Sequence, residues 1–241
     1  MQDKSEASIR FKARMGGAFQ LLEAITATYG QVIVLGKLIV SGDSAATAAN
    51  ILGHERLFWL GFASSIIGVV CHLAWALIFY ELFKVVNRSL SLFAAFVVLV
   101  ACGIQTLTIL FYVAPLYVLK GGVPLSAFTP EQLQALAYIM LKLSGEAFDL
   151  YLVFFGLWCA LIGYLIFKST FLPRILGVLL AIAGAGWMMF LLPPVGSHLF
   201  PYIAAASALG EVPLEFWLLI GSVNARRWKE QALASGMLIP A

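Results

Sequence analysis

Apolar residues fill this chain in long runs separated by short polar, glycine- or proline-containing breaks, and runs of about 20 residues predict membrane-spanning helices. Six such runs fall at about 15–40, 57–83, 90–118, 133–168, 171–192 and 200–223. The third and fourth exceed the roughly 20 residues a bilayer core requires, so each is expected to tilt or to continue past the membrane surface. Lys120-Gly121-Gly122-Val123-Pro124 breaks the chain after the third run, and Thr129 with Pro130 forms a helix start, Thr129 as cap and Pro130 at the first helical position. Residues 45–52 predict a short surface helix capped by Asp43 or Ser44, read as a connector or, alternatively, as a lid over an outward-facing cavity. Pro193-Pro194 is expected to end the fifth span, with Pro201 in the first turn of the sixth. The small residues Gly177, Gly184, Ala185 and Gly186 predict close helix–helix approach. The fold class that follows is all-α, a polytopic bundle of six spanning helices. No shared motif supports an inverted duplication of two three-helix halves.

Composition agrees. Of 241 residues, 62% are hydrophobic and only 11% charged, with mean hydropathy +0.96, against about 25% charged in soluble domains. The reading is therefore a cytoplasmic amphipathic lead at 1–14, one transmembrane domain at 15–224 and a cytoplasmic tail at 225–241. The lead lacks the features of a cleavable signal peptide. A net charge of +3, without a basic stripe carrying interleaved aromatics, excludes nucleic acid as a partner. The charge instead reports topology. Lys4, Arg10, Lys12, Arg14, Lys84, Arg88, Lys168, Arg174, Arg226, Arg227 and Lys229 fall on one side, and Lys37, Arg56, Lys120 and Lys142 on the other. That asymmetry places both termini in the cytoplasm, and it puts the sequon Asn87-Arg88-Ser89 out of reach of glycosylation. Cys71, Cys102 and Cys159 are odd in number, form no CxxC and read as buried thiols.

Several strings resemble a bacterial membrane family catalogued as domain of unknown function 4386. They are Gly42-Asp43-Ser44-Ala45-Ala46-Thr47-Ala48-Ala49-Asn50-Ile51, Val86-Asn87-Arg88-Ser89-Leu90, and the stretch from Leu125-Ser126-Ala127-Phe128 through Thr129-Pro130-Glu131-Gln132-Leu133-Gln134-Ala135-Leu136. Val153-Phe154-Phe155-Gly156-Leu157, Gly163-Tyr164-Leu165-Ile166-Phe167-Lys168-Ser169 and Phe171-Leu172-Pro173-Arg174-Ile175-Leu176-Gly177 continue the likeness, which closes on Gly210-Glu211 and Gly221-Ser222-Val223-Asn224. The resemblance covers nearly the whole chain in order. It implies a multi-helix protein of the bacterial inner membrane and supplies no activity. The family pattern often has His where Trp158 stands, so nothing attached to that His carries over.

The candidate chemistry lies in acids and a histidine inside apolar runs, where a charge costs about 2.5–3.5 kcal/mol on the translocon scale. Counting inward at about 1.5 Å per residue puts Glu23, His72 and Glu215 near the midplane. Asp149, Glu211 and Gln105 fall in the outer third and Glu146 at the outer surface. Glu211 and Glu215 are four apart and Glu146 and Asp149 three apart, so each pair shares a helix face. A polar funnel opening outward and ending near the midplane satisfies all seven placements. The alternative is that these groups only hold helices together, since protonated acids can do so without a ligand. Gln20, Gln31, Thr106 and Thr108, and Gln105 on this second view, read as interhelical hydrogen-bond partners. Glu81 and Lys37 lie near helix ends and can snorkel.

No HExxH, GxSxG, P-loop or GxGxxG pattern is present. His54, His72 and His198 are too dispersed for a zinc or haem site, and no ExxH partners the acids, so neither metal nor cofactor is expected. Three readings compete. One is a binding or transport protein for protons or a small cationic or amphipathic molecule, with the lipid bilayer as surroundings and a homo-oligomer as one way to enlarge so small a transporter. The second is an intramembrane enzyme on a lipid or isoprenoid, with a protonated acid as general acid and a carboxylate or His72 as base. The third is an accessory subunit.

Overall fold

A computed structural model of the protein describes residues 2–237, with side chains from residue 6 onward. The helices are α1 (Gln2–Ala27), α2 (Leu35–Leu38), α3 (Ser44–Gly53), α4 (Glu55–Phe83), α5 (Arg88–Lys120), α6 (Pro130–Lys168), α7 (Arg174–Trp187), α8 (Pro193–Phe216) and α9 (Ala225–Ala234). Among the described residues there is no strand. Six helical stretches are long and apolar enough to cross a membrane: Glu6–Leu38, Glu55–Phe83, Arg88–Lys120, Pro130–Lys168, Arg174–Leu191 and Pro193–Gly221.

Local chemistry sets several boundaries. Thr129 and Gln132 form a reciprocal capping box, with Gln132 N–H donating to Thr129 Oγ1 at 3.4 Å and Thr129 N–H to Gln132 Oε1 at 2.9 Å. Asp43, rather than Ser44, caps α3 by accepting from Ala46 N–H at 2.8 Å. The prolines of the last span act differently from the expectation. Pro193 and Pro194 open α8 instead of merely closing α7, because the first amides of a helix need no intrahelical acceptor and a missing N–H is harmless there. Pro201 consequently lies inside the helix rather than in its first turn, and Pro213 lies further along. The fifth span begins at Arg174, after Pro173, and ends in a 3-10 turn at Met188–Leu191.

The chain forms two compact units. One comprises Met1–Leu21, Cys71–Cys102 and Leu150–Ala241 (unit 1), the other Leu22–Val70 and Gly103–Asp149 (unit 2). Unit 1 is organised by α6, α7 and α8. A Cβ on Gly156 would come within 2.7 Å of the Gly184 carbonyl oxygen, and one on Gly163 within 2.6 Å of that of Gly177. The backbones of α6 and α7 therefore touch at two glycine pairs, as small residues permit in membranes. Gly210 seats α8 on α7 in the same way, since a Cβ there would lie 2.6 Å from the Leu179 carbonyl oxygen. An aromatic core fills the rest: Trp75, Phe79 and Phe83 of α4 pack with Phe155 and Trp158 of α6, the two indoles 4.4 Å apart. The last span ends in a π-helical turn, Trp217–Gly221, closed by Ser222 at φ 57°. Ser222 Oγ donates to the Arg10 carbonyl at 3.0 Å. Beyond it α9, capped by Asn224, docks through Trp228, whose indole N–H donates to the Leu82 carbonyl at 2.9 Å.

Unit 2 is built on Val34, Leu38, Ile51, Phe58, Tyr112, Leu116 and Leu141. Tyr112 hydroxyl donates to the Phe58 carbonyl at 3.3 Å and Ser144 hydroxyl to that of Thr108 at 3.0 Å. The stretch joining α1 to α2, Thr28–Val34, is π-helical. The surface helix α3 is tied down by Asn50 Nδ2, which donates to the Leu38 carbonyl at 3.2 Å. Gly42 N–H donates to Tyr138 hydroxyl at 2.8 Å, and Lys120 pairs with Glu55 at 2.7 Å.

Candidate functional site

The seven candidate residues divide between the units: His72, Glu211 and Glu215 in unit 1, and Glu23, Gln105, Glu146 and Asp149 in unit 2. Within unit 1, α8 carries Ser207, Glu211 and Glu215 at four-residue steps, a polar ladder about 12 Å long on one helical face. Ser207 is 2% and Glu215 1% exposed. Glu211 accepts the indole N–H of Trp187, at the end of α7, at 2.8 Å. Among the described residues neither acid has a Lys or Arg within salt-bridge distance. Glu215 Oε2 and Ser207 Oγ are buried without a hydrogen-bond partner among the described residues.

The first helix packs against α8. A Cβ on Gly17 would lie 2.9 Å from both the Glu215 carbonyl oxygen and Leu218 Cβ, so α1 and α8 are in backbone contact there. Gly16, beside it, faces Ile78 and Phe79 of α4. One turn beyond this pair stands Gln20, 2% exposed, with neither its amide nitrogen nor its oxygen hydrogen-bonded among the described residues. Gln20 thus does not act as the interhelical hydrogen-bond partner the sequence suggested. Trp75 is fully buried, and its Nε1 also lacks an acceptor among the described residues. His72 stacks on Trp75 with ring centroids 4.4 Å apart and meets Tyr151 and Phe155 edge-on at 5.9 Å. Each buried polar group left unpaired costs about 1–3 kcal/mol. Four such side chains lie in unit 1 among the described residues.

The unit 2 residues are arranged differently. Glu23 and Gln105 are buried, Asp149 half-buried and Glu146 exposed. Glu146 and Asp149 share a face of α6, as their spacing requires. Cys71, Cys102 and Cys159 are buried, and among the described residues no group of three His, Cys, Asp or Glu gathers as a metal site would need. His54 and His198 are exposed.

A profile of the family described as Domain of unknown function (DUF4386) matches residues 15–221. The chain belongs to this family. It is an integral membrane protein, since a DUF4386 match and six apolar helices coincide over the same residues. A protein of Archaeoglobus fulgidus, described as uncharacterized, is 36% identical over 72 residues, which is 30% of this chain and 44% of that relative. The chain thus spans less than half of the relative's length. No solved structure matches it.

Two buried polar side chains of this DUF4386 chain, Gln20 and Trp75, were not read from the sequence as candidate site groups. A glutamine in an apolar helix has the same appearance whether it bonds a neighbour or faces a cavity. The usable signal was the Gly16-Gly17 pair one turn before it, which marks the side where another backbone comes close.

Proposed function

We propose that this membrane protein binds protons or a small cationic or amphipathic molecule in the interior of unit 1, as part of a binding or transport activity. Glu215 is the principal ligand and Glu211, Gln20, Ser207 and His72 line the same interior. The observation that carries this reading is Glu215 Oε2, buried on a spanning helix without a hydrogen-bond donor or a cationic side chain among the described residues. A carboxylate so placed is costly alone and far less so when a positive ligand or a proton neutralises it. In this proposal the interior opens away from the cytoplasm, both termini lie in the cytoplasm, and Glu23, Gln105, Asp149 and Glu146 form a further polar set in unit 2.

The test is binding of tetraphenylphosphonium and ethidium, as lipophilic cations, to the purified protein, together with proton uptake on acid jump. Glu215→Gln is expected to weaken cation binding about tenfold or more, since a charge-assisted contact is worth about 1.5–3 kcal/mol. Glu211→Gln is expected to weaken it less, because Trp187 already satisfies that side chain. Asp149→Asn reports whether the unit 2 set takes part. Unchanged binding and proton uptake in both Glu215→Gln and Glu211→Gln would remove these residues from any site.

A further inference from the structure

A cavity lies at one end of unit 1, where the span of α6 stops at Lys168 and that of α7 starts at Arg174. It has a volume of about 660 Å³ and is lined by Ser169, Thr170, Arg174, Arg227, Glu230 and Gln231, among others. Its wall is the turn between the two spans on one side and α9 on the other, and these are held together by side-chain and backbone hydrogen bonds. Gln231 Oε1 accepts both the Thr170 N–H and the Thr170 hydroxyl at 3.0 Å, and Asn224 N–H donates to the Phe171 carbonyl at 3.1 Å.

The donors that remain all suit an anion. Arg174 lies over the Phe167 ring at 5.7 Å and has no carboxylate partner among the described residues. Arg227 spends one N–H on the Thr170 carbonyl at 3.4 Å and likewise has no carboxylate. Gln231 uses its oxygen on Thr170, which leaves its amide NH2 to donate. Glu230, the acid among the lining residues named, is taken by Arg226 at 3.1 Å. Arg174 also opens α7, so the positive end of that helix adds to the field. Two guanidinium forks around one cavity match the oxygens of a phosphate.

We propose that this cavity is a binding site for the headgroup of an anionic phospholipid. The shared chemistry is a phosphate anion, and the lipid is the source because the cavity sits where two spanning helices end, at headgroup level. Neighbouring residues have the character of that level: Lys168 caps the ring of the half-exposed Tyr164 at 5.7 Å, and Trp228 anchors α9. Basic pockets at helix ends hold headgroups in this manner.

The experiment titrates delipidated full-length protein in detergent with phosphatidylglycerol and with phosphatidylcholine, reading bound lipid by native mass spectrometry and melting temperature in parallel. The wild type is expected to bind phosphatidylglycerol about tenfold more tightly than phosphatidylcholine. The double variant Arg174→Gln/Arg227→Gln is expected to lose that preference, and Arg88→Gln, which removes an exposed basic side chain that does not line the cavity, to keep it. Melting of the double variant in phosphatidylcholine at the wild-type temperature separates loss of the site from misfolding. Where it melts earlier, Arg174→Lys and Arg227→Lys decide, each expected to lose part of the preference with the charge retained. Equal affinity for the two lipids in the wild type overturns the proposal, as does full preference in the double variant or in both lysine variants. Binding of inorganic phosphate or glycerol 1-phosphate as tightly as phosphatidylglycerol overturns it in favour of a soluble anion.

Discussion

Trp187 and Gln20 show two opposite fates of a buried polar group. Trp187 gives its N–H to Glu211 at 2.8 Å, so Trp187→Phe should leave Glu211 short of a donor and lower stability by about 1–3 kcal/mol, read as a fall in melting temperature. Gln20 has no partner among the described residues, and Gln20→Met fills nearly the same volume without the polar atoms. That variant is expected to melt at or above the wild-type temperature while binding lipophilic cations less well. A clear loss of stability would show instead that the amide holds helices together. At this scale the sequence revealed that Glu211 and Glu215 share a face, because helical spacing alone determines it. It could not reveal the Trp187 contact, which depends on how α7 and α8 pair, nor that Gln20 lies unbonded.

Between residues and the molecule stand the helices, and their irregular turns carry information. The π-helical turn Thr28–Val34 contains Gly30, and a Cβ there would collide with Ser65 Oγ and lie 2.8 Å from the Gly61 carbonyl oxygen. Gly30→Ala should therefore cost about 1–3 kcal/mol through overpacking, measured by thermal melting in detergent. Gly36→Ala meets no described atom within 4 Å and should be neutral or gain up to about 1 kcal/mol from helix propensity. Equal effects at the two positions would contradict the close approach at Gly30. The spans themselves were legible because apolar runs and capping residues act locally: Thr129 with Gln132 starts α6 as their types demand. Prolines were less legible. Pro193 and Pro201 fit a helix start equally well by residue type, and only the chain's actual turn at Met188–Leu191 decides between them.

For the whole molecule, the described residues hold six helices long and apolar enough to cross, and six crossings, an even number, would put both termini of the membrane domain on one side. Reporter fusions at residue 225 and ahead of residue 15 are expected to report the same compartment, the cytoplasm by the lysine and arginine count. Opposite compartments would mean that one of the apolar helices does not cross. The glycine pairs of unit 1 have a mechanical corollary. Gly156 and Gly163 repeat with the seven-residue step of Gly177 and Gly184, so α6 and α7 mesh like two racks whose teeth are missing at matching places. A slide of one turn, about 5.4 Å, would press side-chain carbons into clearances that admit a hydrogen atom and little more. Such clearances resist piston travel, so the segments of α6 and α7 joined at these glycines are expected to move as one body.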